Sequence, residues 1–400
     1  MMIIQFEKIK SSSIILIVLV ALMNLFTFGN AWSYNVVSFG GKGDGRTDST
    51  QAFQTVWSNA CASTKPTTIY VPRGRYYLRS GIFNGPCKNN AIFIRIDGTL
   101  VAPSDFQVIG NSPAWIIFRH VDGVTVSGGN LDGKGAGLWA CKNSSSRTTC
   151  PTGATTLQFS NSKNVVISAL TSLNSQMFHI VINGCQNVTM KGLKVLASGN
   201  SPNTDGIHVQ MSSNVAVLNS KIGTGDDCIS IGPGTSNLHI ENIVCGPGHG
   251  ISIGSLAKDV QEDGVQNVTV KNVVFSRTQN GVRIKAWGKP SNGFARNILF
   301  QHIVMDNVQN PIIIDQNYCP SHKGCPEKAS GVKINDVTYQ DIHGTSATKI
   351  AVKFDCSPTN PCGGIKLENV RLTYMNQTAQ ATCNNVGGIA AGLVQPTSCF

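Results

Sequence analysis

The sequence contains few charged residues and few aromatic ones. Asp, Glu, Lys and Arg make up 13% of its 400 residues, and Phe, Trp and Tyr make up 7%; an average domain is about 25% charged. The Lys and Arg residues do not form basic runs interleaved with aromatic residues, so we predict no nucleic-acid partner. A basic amphipathic helix is absent as well, which argues against binding to a membrane surface.

Long hydrophobic runs are absent beyond the N-terminus. The one such run, Ile14–Phe28, follows two lysines and precedes the small residues Gly29 and Ala31. It is too short for a spanning helix, which needs about 20 apolar residues, and its flanks are those of a secretory signal peptide. We therefore predict a signal peptide over residues 1–31 and a soluble, secreted protein.

Cysteine pairs of the C-x-x-C type, which bind zinc, are absent although the chain has 13 cysteines. All of them follow residue 31, which fits an oxidising compartment. Spacing does not determine connectivity, so pairing nearest neighbours gives only a hypothesis. Its pairs are Cys61–Cys87, Cys141–Cys150, Cys228–Cys245, Cys319–Cys325, Cys356–Cys362 and Cys383–Cys399, with Cys185 left over. Candidate glycan sites are the sequons at Asn143, Asn187, Asn267 and Asn376.

Helix signals are also scarce. The stretch from Asp48 to Gln51 has the form of a capping box with Asp48 in the cap position. It predicts an amphipathic helix that ends near Ala60, and it is the only clear helix signal after the signal peptide. The glycine-rich stretch from Gly40 to Gly45 is not followed by Gly-Lys-Ser/Thr, so we predict no phosphate-binding loop there.

What the sequence has instead is a repeat of short, Val- and Ile-rich strands. Asn-Val-x-Val units recur every 23 to 30 residues and begin at Asn164, Asn187, Asn214, Asn237, Asn267 and Asn297. This period predicts a solenoid, and the lack of fixed leucines and of helices between strands favours a right-handed parallel β-helix with about three strands per turn. No linker interrupts it, so we predict one domain over residues 32–400, with the helix covering the open N-terminal end.

Four polar clusters interrupt the apolar repeat: Asn203–Asp205, Gly225–Asp227, Gly248–Gly250 and Arg283–Lys285. Equivalent residues on consecutive turns of a parallel sheet lie about 4.8 Å apart. We therefore expect Asp205 and Asp226 to be neighbours across one turn, with Asp227 beside them and at least one carboxyl pKa raised. Scattered turn residues are the alternative interpretation, but they do not account for Arg283 and Lys285 within an apolar strand.

The chemistry of these clusters indicates hydrolysis of an acidic polysaccharide. A protonated acid beside ionised ones can protonate a leaving oxygen while another activates water. Arg283 and Lys285 share one face of a strand and can bind a substrate carboxylate, and the net charge of +11 attracts a polyanion. Two alternatives remain: a Ca²⁺-dependent lyase, in which His249 has no evident part, and a β-helix that only binds the polysaccharide.

The same residues carry a resemblance to a known family. Asn203-Thr-Asp-Gly-Ile-His-Val, Gly225-Asp-Asp-Cys-Ile-Ser, Gly246-Pro-Gly-His-Gly-Ile-Ser and Gly281-Val-Arg-Ile-Lys together resemble the four signature motifs of the polygalacturonases, glycoside hydrolase family 28. The resemblance covers the whole chain after the signal peptide. The segment after Ile231 and the terminal Cys-Phe look most like the plant pollen exo-acting branch.

The resemblance implies a role for each matching residue. Asp226 corresponds to the general acid, Asp205 and Asp227 to the pair that orients and deprotonates the water, and His249 to a histidine near the acid. The groups that hold the uronate at the cleavage point correspond to Arg283, Lys285 and Tyr318. The family inverts configuration and needs no metal or cofactor. Inverting enzymes separate their two carboxyl groups by about 6.5–9.5 Å, a larger distance than the spacing between consecutive turns of the solenoid.

The role of His208, in the first motif, is left open. It is either a substrate contact or a half-buried side chain that is hydrogen-bonded within the protein.

For the protein as a whole, the resemblance implies a polygalacturonate substrate and secretion to the plant cell wall. We expect a monomer that acts from the chain end, with endo action as the alternative.

Overall fold

The computed structural model describes residues 32–144, 149–321, 323–326 and 328–400. The predicted signal peptide, residues 1–31, lies outside the described residues. The single domain expected over residues 32–400 stays a prediction, although one hydrophobic core runs without a break from Val36 to Ala379.

Two long sheets form the body of the molecule. The larger has 20 strands: Trp32–Asn35, Asp44–Asp48, Thr67–Val71, Arg75–Tyr77, Ile92–Ile96, Thr99–Val101, Val124–Ser127, Asn130–Asp132, Lys163–Ser168, Thr171–Leu173, Gln186–Lys191, Lys194–Leu196, Ser213–Gly223, Ser236–Cys245, Val265–Ser276, Phe294–Val308, Lys333–Ser346, Cys362–Tyr374, Gln377–Thr378 and Val386–Gln395. The smaller has 11 strands: Gly81–Asn84, Ala114–Arg119, Thr155–Ser160, Ile180–Asn183, Ile207–Gln210, Ile229–Ile231, Ile251–Leu256, Asn280–Trp287, Asn310–Tyr318, Ile350–Asp355 and Gln380–Asn384.

Successive turns stack in parallel, which confirms the predicted right-handed parallel β-helix. One turn consists of Ile180–Asn183, Gln186–Lys191 and Lys194–Leu196, so the expected three strands per turn are present. From Ser213 onward, the second and third strands of each turn merge into one long strand such as Ser213–Gly223, and this places both in the larger sheet.

The Asn-Val-x-Val repeat sets the alignment of the turns. Val188 pairs with Val165 on one side and with Val215 on the other. The preceding asparagines form a ladder in which every side-chain amide after the first donates to the side-chain oxygen of the asparagine one turn earlier; its members are Asn164, Asn187, Asn214, Asn237, Asn267 and Asn297. The first member, Asn164, donates to the Asp122 carboxylate instead. All six have φ between 53° and 57°, a left-handed conformation that asparagine tolerates better than other residues with a side chain.

The predicted helix is present but begins later than expected. It spans Thr50–Ala62 with Ser49 as its N-cap, and Ser49 makes no side-chain capping bond. Asp48 is wrong as the cap residue because it is the last residue of strand Asp44–Asp48 and pairs with Tyr77. Its carboxylate still accepts a hydrogen bond from the Thr50 amide at 2.9 Å.

The buried face of this helix lies against the first turns of the solenoid. Trp57 packs on Phe83 and Phe118, with both pairs of ring centroids 5.4 Å apart. The helix therefore covers the N-terminal end of the core, as predicted.

The structure also has a second α-helix, Ala136–Asn143, for which the sequence has no clear signal. Its N-cap is Gly135, which makes no side-chain capping bond, and this explains the missing sequence signal. Leu138 and Trp139 are buried, and the Trp139 indole donates to the Ser175 carbonyl at 3.0 Å.

All six hypothetical disulfides are present, so the nearest-neighbour pairing is confirmed. Cys185 is buried and unpaired, and its thiol donates weakly to the Phe159 carbonyl at 3.4 Å. None of the helices in the described part of the chain is long and apolar enough to cross a membrane.

Candidate active site

The polar clusters meet at four neighbouring strands of the smaller sheet: Ile207–Gln210, Ile229–Ile231, Ile251–Leu256 and Asn280–Trp287. Within each strand, isoleucines and valines alternate with polar residues, and the apolar side chains are fully buried in the core. The polar positions form a row across the strands, because His208, Ser230, Ser252 and Arg283 pair in that order. This row lies beside the three aspartates.

The alignment of the aspartates differs from the prediction. Ile207 pairs with Ile229, and the Gly206 amide donates to the Asp227 carbonyl at 2.9 Å. The neighbour of Asp205 across one turn is therefore Asp227, not Asp226 as predicted. Counting from one motif to the next missed this because two aspartates are adjacent in the second motif, and only the strand register decides which of them is aligned.

Asp227 is held on both carboxylate oxygens. Its Oδ1 lies 2.8 Å from the Arg283 guanidinium and accepts from the Ser252 hydroxyl at 2.8 Å, while Oδ2 accepts from the Lys285 ammonium at 2.8 Å. The Asp227 side chain is only 1% exposed. Burial raises the pKa of Asp227, but Lys285 and Arg283 outweigh burial and bring the pKa to about 2.

Asp205 has the opposite electrostatic balance. Burial raises the pKa of its carboxyl well above the usual range, and the charges of Asp226 and Asp227 raise it further. A hydrogen bond with Ser230 and the charge of Lys285 act in the other direction. This confirms the expectation that one carboxyl in the group has a raised pKa.

Asp226 forms a pair with His249. The Nδ1 atom of His249 lies 3.1 Å from Asp226 Oδ1, and the His249 amide donates to the Asp226 carbonyl at 2.8 Å. The Asp226 side chain is 19% exposed and the His249 side chain 35%, so this pair is more accessible than Asp227.

Tyr318 closes the other side of the cluster. Its ring centroid lies 5.3 Å from Lys285 Nζ and 5.9 Å from the Arg283 guanidinium carbon. The ring also contacts Trp287 edge to face at 5.2 Å. All seven predicted site residues, from Asp205 to Tyr318, are thus within one contiguous group, although the prediction did not anticipate that Arg283 and Lys285 would bind Asp227.

Two serines in the site were missed by sequence reasoning. Ser230 and Ser252 occupy the middle of two Ile-Ser-Ile strands and are buried. Ser230 contacts His208 Nδ1 at 2.7 Å, and Ser252 accepts from the Arg283 guanidinium at 2.9 Å. Their signal was present in the repeated Ile-Ser-Ile pattern, which places a hydroxyl on the polar face of adjacent strands.

A metal ion is a poor fit to this site. Asp226, Asp227 and His249 each offer a ligand atom within 4.8 Å of the others. Both oxygens of Asp227, however, already contact a lysine or arginine, and these cations oppose the binding of a third. Among these residues, no set of free oxygen ligands remains that resembles a calcium cage.

Comparisons with known proteins agree with these features. Residues 61–399 match the family described as "Glycosyl hydrolases family 28". A polygalacturonase of Prunus persica is 68% identical over 368 residues, which cover 92% of this chain and 93% of the relative. An exopolygalacturonase of Platanus acerifolia is 43% identical over 366 residues, covering 91% and 96%.

Among solved structures, the polygalacturonase of Erwinia carotovora ssp. carotovora is 26% identical and has a TM-score of 0.68, covering 86% of this chain and 94% of that one. The resemblance found in the four motifs is therefore confirmed, and this chain belongs to family 28 of the glycosyl hydrolases.

Proposed function

We propose that this protein hydrolyses the α-1,4-galacturonosyl linkages of polygalacturonate with inversion of configuration, acting from the chain end. The observation that carries the proposal is the grouping of three carboxylates with two cations, in which Lys285 and Arg283 both bind Asp227. The names of the relatives from Prunus persica and Platanus acerifolia support the substrate class, and the second supports exo action.

Asp226 is the proposed general acid. Its side chain is 19% exposed, against 1% for Asp227, so it can reach a glycosidic oxygen that enters the site. His249 contacts the same carboxyl at 3.1 Å and orients it. A positioned acid of this kind contributes about 10²–10⁴-fold to the rate.

Asp205 is the proposed base that takes a proton from the attacking water. A base acts best when its pKa is close to the working pH, and burial with two neighbouring carboxylates raises the pKa of Asp205 in that direction. Asp227 is a weaker base, since its pKa is about 2, and its role is to hold Arg283 and Lys285 in place.

Arg283 and Lys285, with Tyr318, are the proposed binding site for the uronate carboxylate. Two cations share the single carboxylate of Asp227, which leaves positive charge available to a substrate anion. The side chains of Arg283 and Lys285 are 10% and 8% exposed, so a bound carboxylate would be largely shielded from water. Opposite charges attract each other more strongly in such a shielded site than in water.

We also propose secretion of a monomer to the plant cell wall. Six disulfides require an oxidising compartment, and the relatives with the highest identity quoted above are plant proteins.

The test is the turnover of polygalacturonate by Asp226→Asn. We expect the variant to fold and to bind substrate but to turn over about 10²–10⁴-fold more slowly. Asp341→Asn is the matched control, because Asp341 is a half-exposed carboxyl on strand Lys333–Ser346, which belongs to the larger sheet and not to the sheet that carries the site. Near-normal turnover by Asp226→Asn would refute the assignment of the acid.

The products distinguish the mechanism from the lyase alternative. NMR of the first products should show the inverted, β-configured reducing end and no unsaturated uronate, and EDTA should leave the rate unchanged. A lyase would instead produce the unsaturated sugar and would lose activity on removal of Ca²⁺.

A further inference from the structure

Two exposed lysines face each other on the outer side of the larger sheet. Lys194 and Lys221 are directly paired on two adjacent parallel strands. Both are exposed, while Val195 and Ile222, which follow them in the two strands, are fully buried in the core. Like charges that lie directly opposite each other in a sheet are destabilising. The fold alone therefore does not account for this pair.

Another lysine of the same sheet has the usual arrangement. Lys271 faces Glu241 across two strands, and the two side chains form an ion pair of 3.3 Å. Among the residues that the structure describes, no ion pair includes Lys194, Lys221 or Lys191, an exposed lysine three positions before Lys194. Three ammonium groups on this part of the surface are thus available to an anion from outside the protein.

Exposed apolar side chains lie beside the two facing lysines. Lys221 pairs with Val244 on the next turn, and Val244 pairs with Val274. The two valines are 44% and 38% exposed, and Leu196 is 39% exposed. We call this region the lysine surface; it consists of Lys191, Lys194, Leu196, Lys221, Val244 and Val274. It combines cations with apolar groups that are open to solvent.

The lysine surface adjoins the candidate active site. Lys221 is five positions before Asp226, and five residues of extended chain span at most about 18 Å. In both turns, the strand that carries the lysine leads into the segment that carries an aspartate of the site, from Lys194 to Asp205 and from Lys221 to Asp226. A long polymer bound at the site can therefore also reach the lysine surface.

We propose that the lysine surface is a second binding surface for the substrate polymer, at which the ammonium groups bind carboxylates of polygalacturonate outside the cleavage point. The exposed valines and leucine contact the C–H faces of the sugar rings. The inference rests on the proposed function for the identity of the polymer.

Charge and spacing favour a linear polyanion as the occupant. Polygalacturonate carries one carboxylate on each sugar, and Lys194 and Lys221 are separated by one turn, about 4.8 Å along the solenoid. A polymer that lies along this axis meets the two ammonium groups in succession. Its negative charge offsets the repulsion between them, which no acidic side chain of the described residues does.

The test measures the Kd of long polygalacturonate by isothermal titration calorimetry. The protein is Asp226→Asn, which we expect to leave the polymer intact, with and without Lys194→Gln and Lys221→Gln. The two lysine substitutions should raise the Kd about 3- to 10-fold at low salt, because two exposed charge contacts are lost. Added salt should reduce this difference, since exposed charges are screened.

Lys88→Gln together with Lys333→Gln is the matched control. Both lysines are exposed and lie outside the lysine surface, and the change in net charge is the same. This pair should leave the Kd near that of Asp226→Asn alone. An equal increase in Kd in the control pair would overturn the proposal, because the effect would then come from the net charge of the protein.

Two other polymers test the chemistry of the contact. An ester carries no charge, so the Kd of highly methyl-esterified pectin should be the same with and without Lys194→Gln and Lys221→Gln. Poly-L-glutamate has carboxylates but no sugar rings, and we expect it to bind more weakly than polygalacturonate. Equally strong binding of poly-L-glutamate, reduced to the same extent by the two substitutions, would overturn the assignment to a polysaccharide.

The stability of the variant is a separate check. Removing a like-charge pair should leave the Tm of the Lys194→Gln, Lys221→Gln protein unchanged or raise it. A lower Tm would show that the two lysines stabilise the sheet and would contradict the proposal. A Kd for polygalacturonate that the two substitutions leave unchanged would overturn it directly.

Failure of this inference differs from failure of the proposed function. If the wild type does not turn over polygalacturonate, or if Asp226→Asn is as active as the wild type, the proposed function or its acid is wrong. If Asp226→Asn is inactive and still binds the polymer, but the Kd does not depend on Lys194 and Lys221, only the inference about the lysine surface is wrong.

Discussion

Lys285 donates a 2.8 Å hydrogen bond to Asp227 although the two residues are 58 positions apart in the chain. Both side chains are nearly inaccessible, at 8% and 1% exposure. A buried ion pair of this kind adds little to the stability of the folded protein when compared with an apolar pair of the same volume. Removing one partner is nevertheless strongly destabilising, because it leaves an uncompensated buried charge. Asp227 is therefore as important for the integrity of the site as for its chemistry.

The first prediction concerns the stability of Asp227→Asn. The substitution leaves Arg283 and Lys285 without their carboxylate, so we expect a loss of about 3–5 kcal/mol in the free energy of unfolding at neutral pH. Because the pKa of Asp227 in the folded protein, about 2, is below the ordinary 3.8, the stability that its carboxylate contributes to the wild type is fully present above pH 3.8 and is lost as the pH falls through about 2. Urea denaturation of the wild type and of Asp227→Asn at pH 7 measures the difference in the free energy of unfolding.

Asp205→Asn should change stability in the opposite direction. The folded pKa of Asp205 is raised above 3.8, so its ionised form costs stability at pH values above the folded pKa. Removing that charge should raise the urea midpoint at pH 7, while activity is lost. If both variants are destabilised to the same degree, the charges of the two aspartates do not have the different environments described here.

The second prediction concerns Lys285→Met. Loss of the ammonium should raise KM for polygalacturonate and reduce the preference for the free acid over methyl-esterified pectin, because the ester carries no charge to bind. The assay is run well below the Tm of the variant, which should also be lowered. Lys366→Met is the control, since Lys366 is a partly exposed lysine on strand Cys362–Tyr374. An unchanged preference would place the uronate elsewhere.

The third prediction tests the asparagine ladder of the larger sheet. Asn237 donates to Asn214 at 3.0 Å, accepts from Asn267 at 2.9 Å and has φ of 53°. Asn237→Ala should lower the free energy of unfolding by about 1–3 kcal/mol, because it removes two hydrogen bonds and puts alanine in a left-handed conformation. Asn237→Gly tolerates that conformation, so the difference between the two variants separates the conformational cost from the bonds. Equal losses in the free energy of unfolding for the two variants would mean that the left-handed conformation adds little to the cost of Asn237→Ala.

The sequence predicted most of the features that depend on local order. The disulfides join nearest-neighbour cysteines because a solenoid places residues of one turn, or of adjacent turns, side by side. The Asn-Val-x-Val repeat marked the register of the larger sheet directly, since it recurs once per turn. The helix Ala136–Asn143 was missed because Gly135, its N-cap, gives no capping signal.

The internal contacts of the site could not be read in the same way. The solenoid turn from Ile229 to its partner Ile251 contains fewer residues than the next one, from Ile251 to its partner Val282. The spacing of the motifs therefore did not show which side chains are aligned. The contacts of Asp227 with Arg283 and Lys285 depend on that alignment. The buried serines were missed because a hydroxyl in an apolar strand resembles an ordinary strand residue until its neighbours on both sides are known.

The last prediction is the direction of attack on the polymer. Exo action requires that the site receive a chain end, so each event should release a monomer and leave the remaining polymer long. We therefore expect reducing ends to accumulate while the viscosity of a polygalacturonate solution falls slowly, with galacturonate as the main early product.

The two measurements are made on the same reaction, with Asp226→Asn as the inactive control for mechanical loss of viscosity. Capping the non-reducing ends of the substrate should slow an exo-acting enzyme strongly, since it removes the groups that such an enzyme must bind. A rapid collapse of viscosity with mixed oligomers, unaffected by capped ends, would instead establish endo action with the same four motifs and the same acid and base.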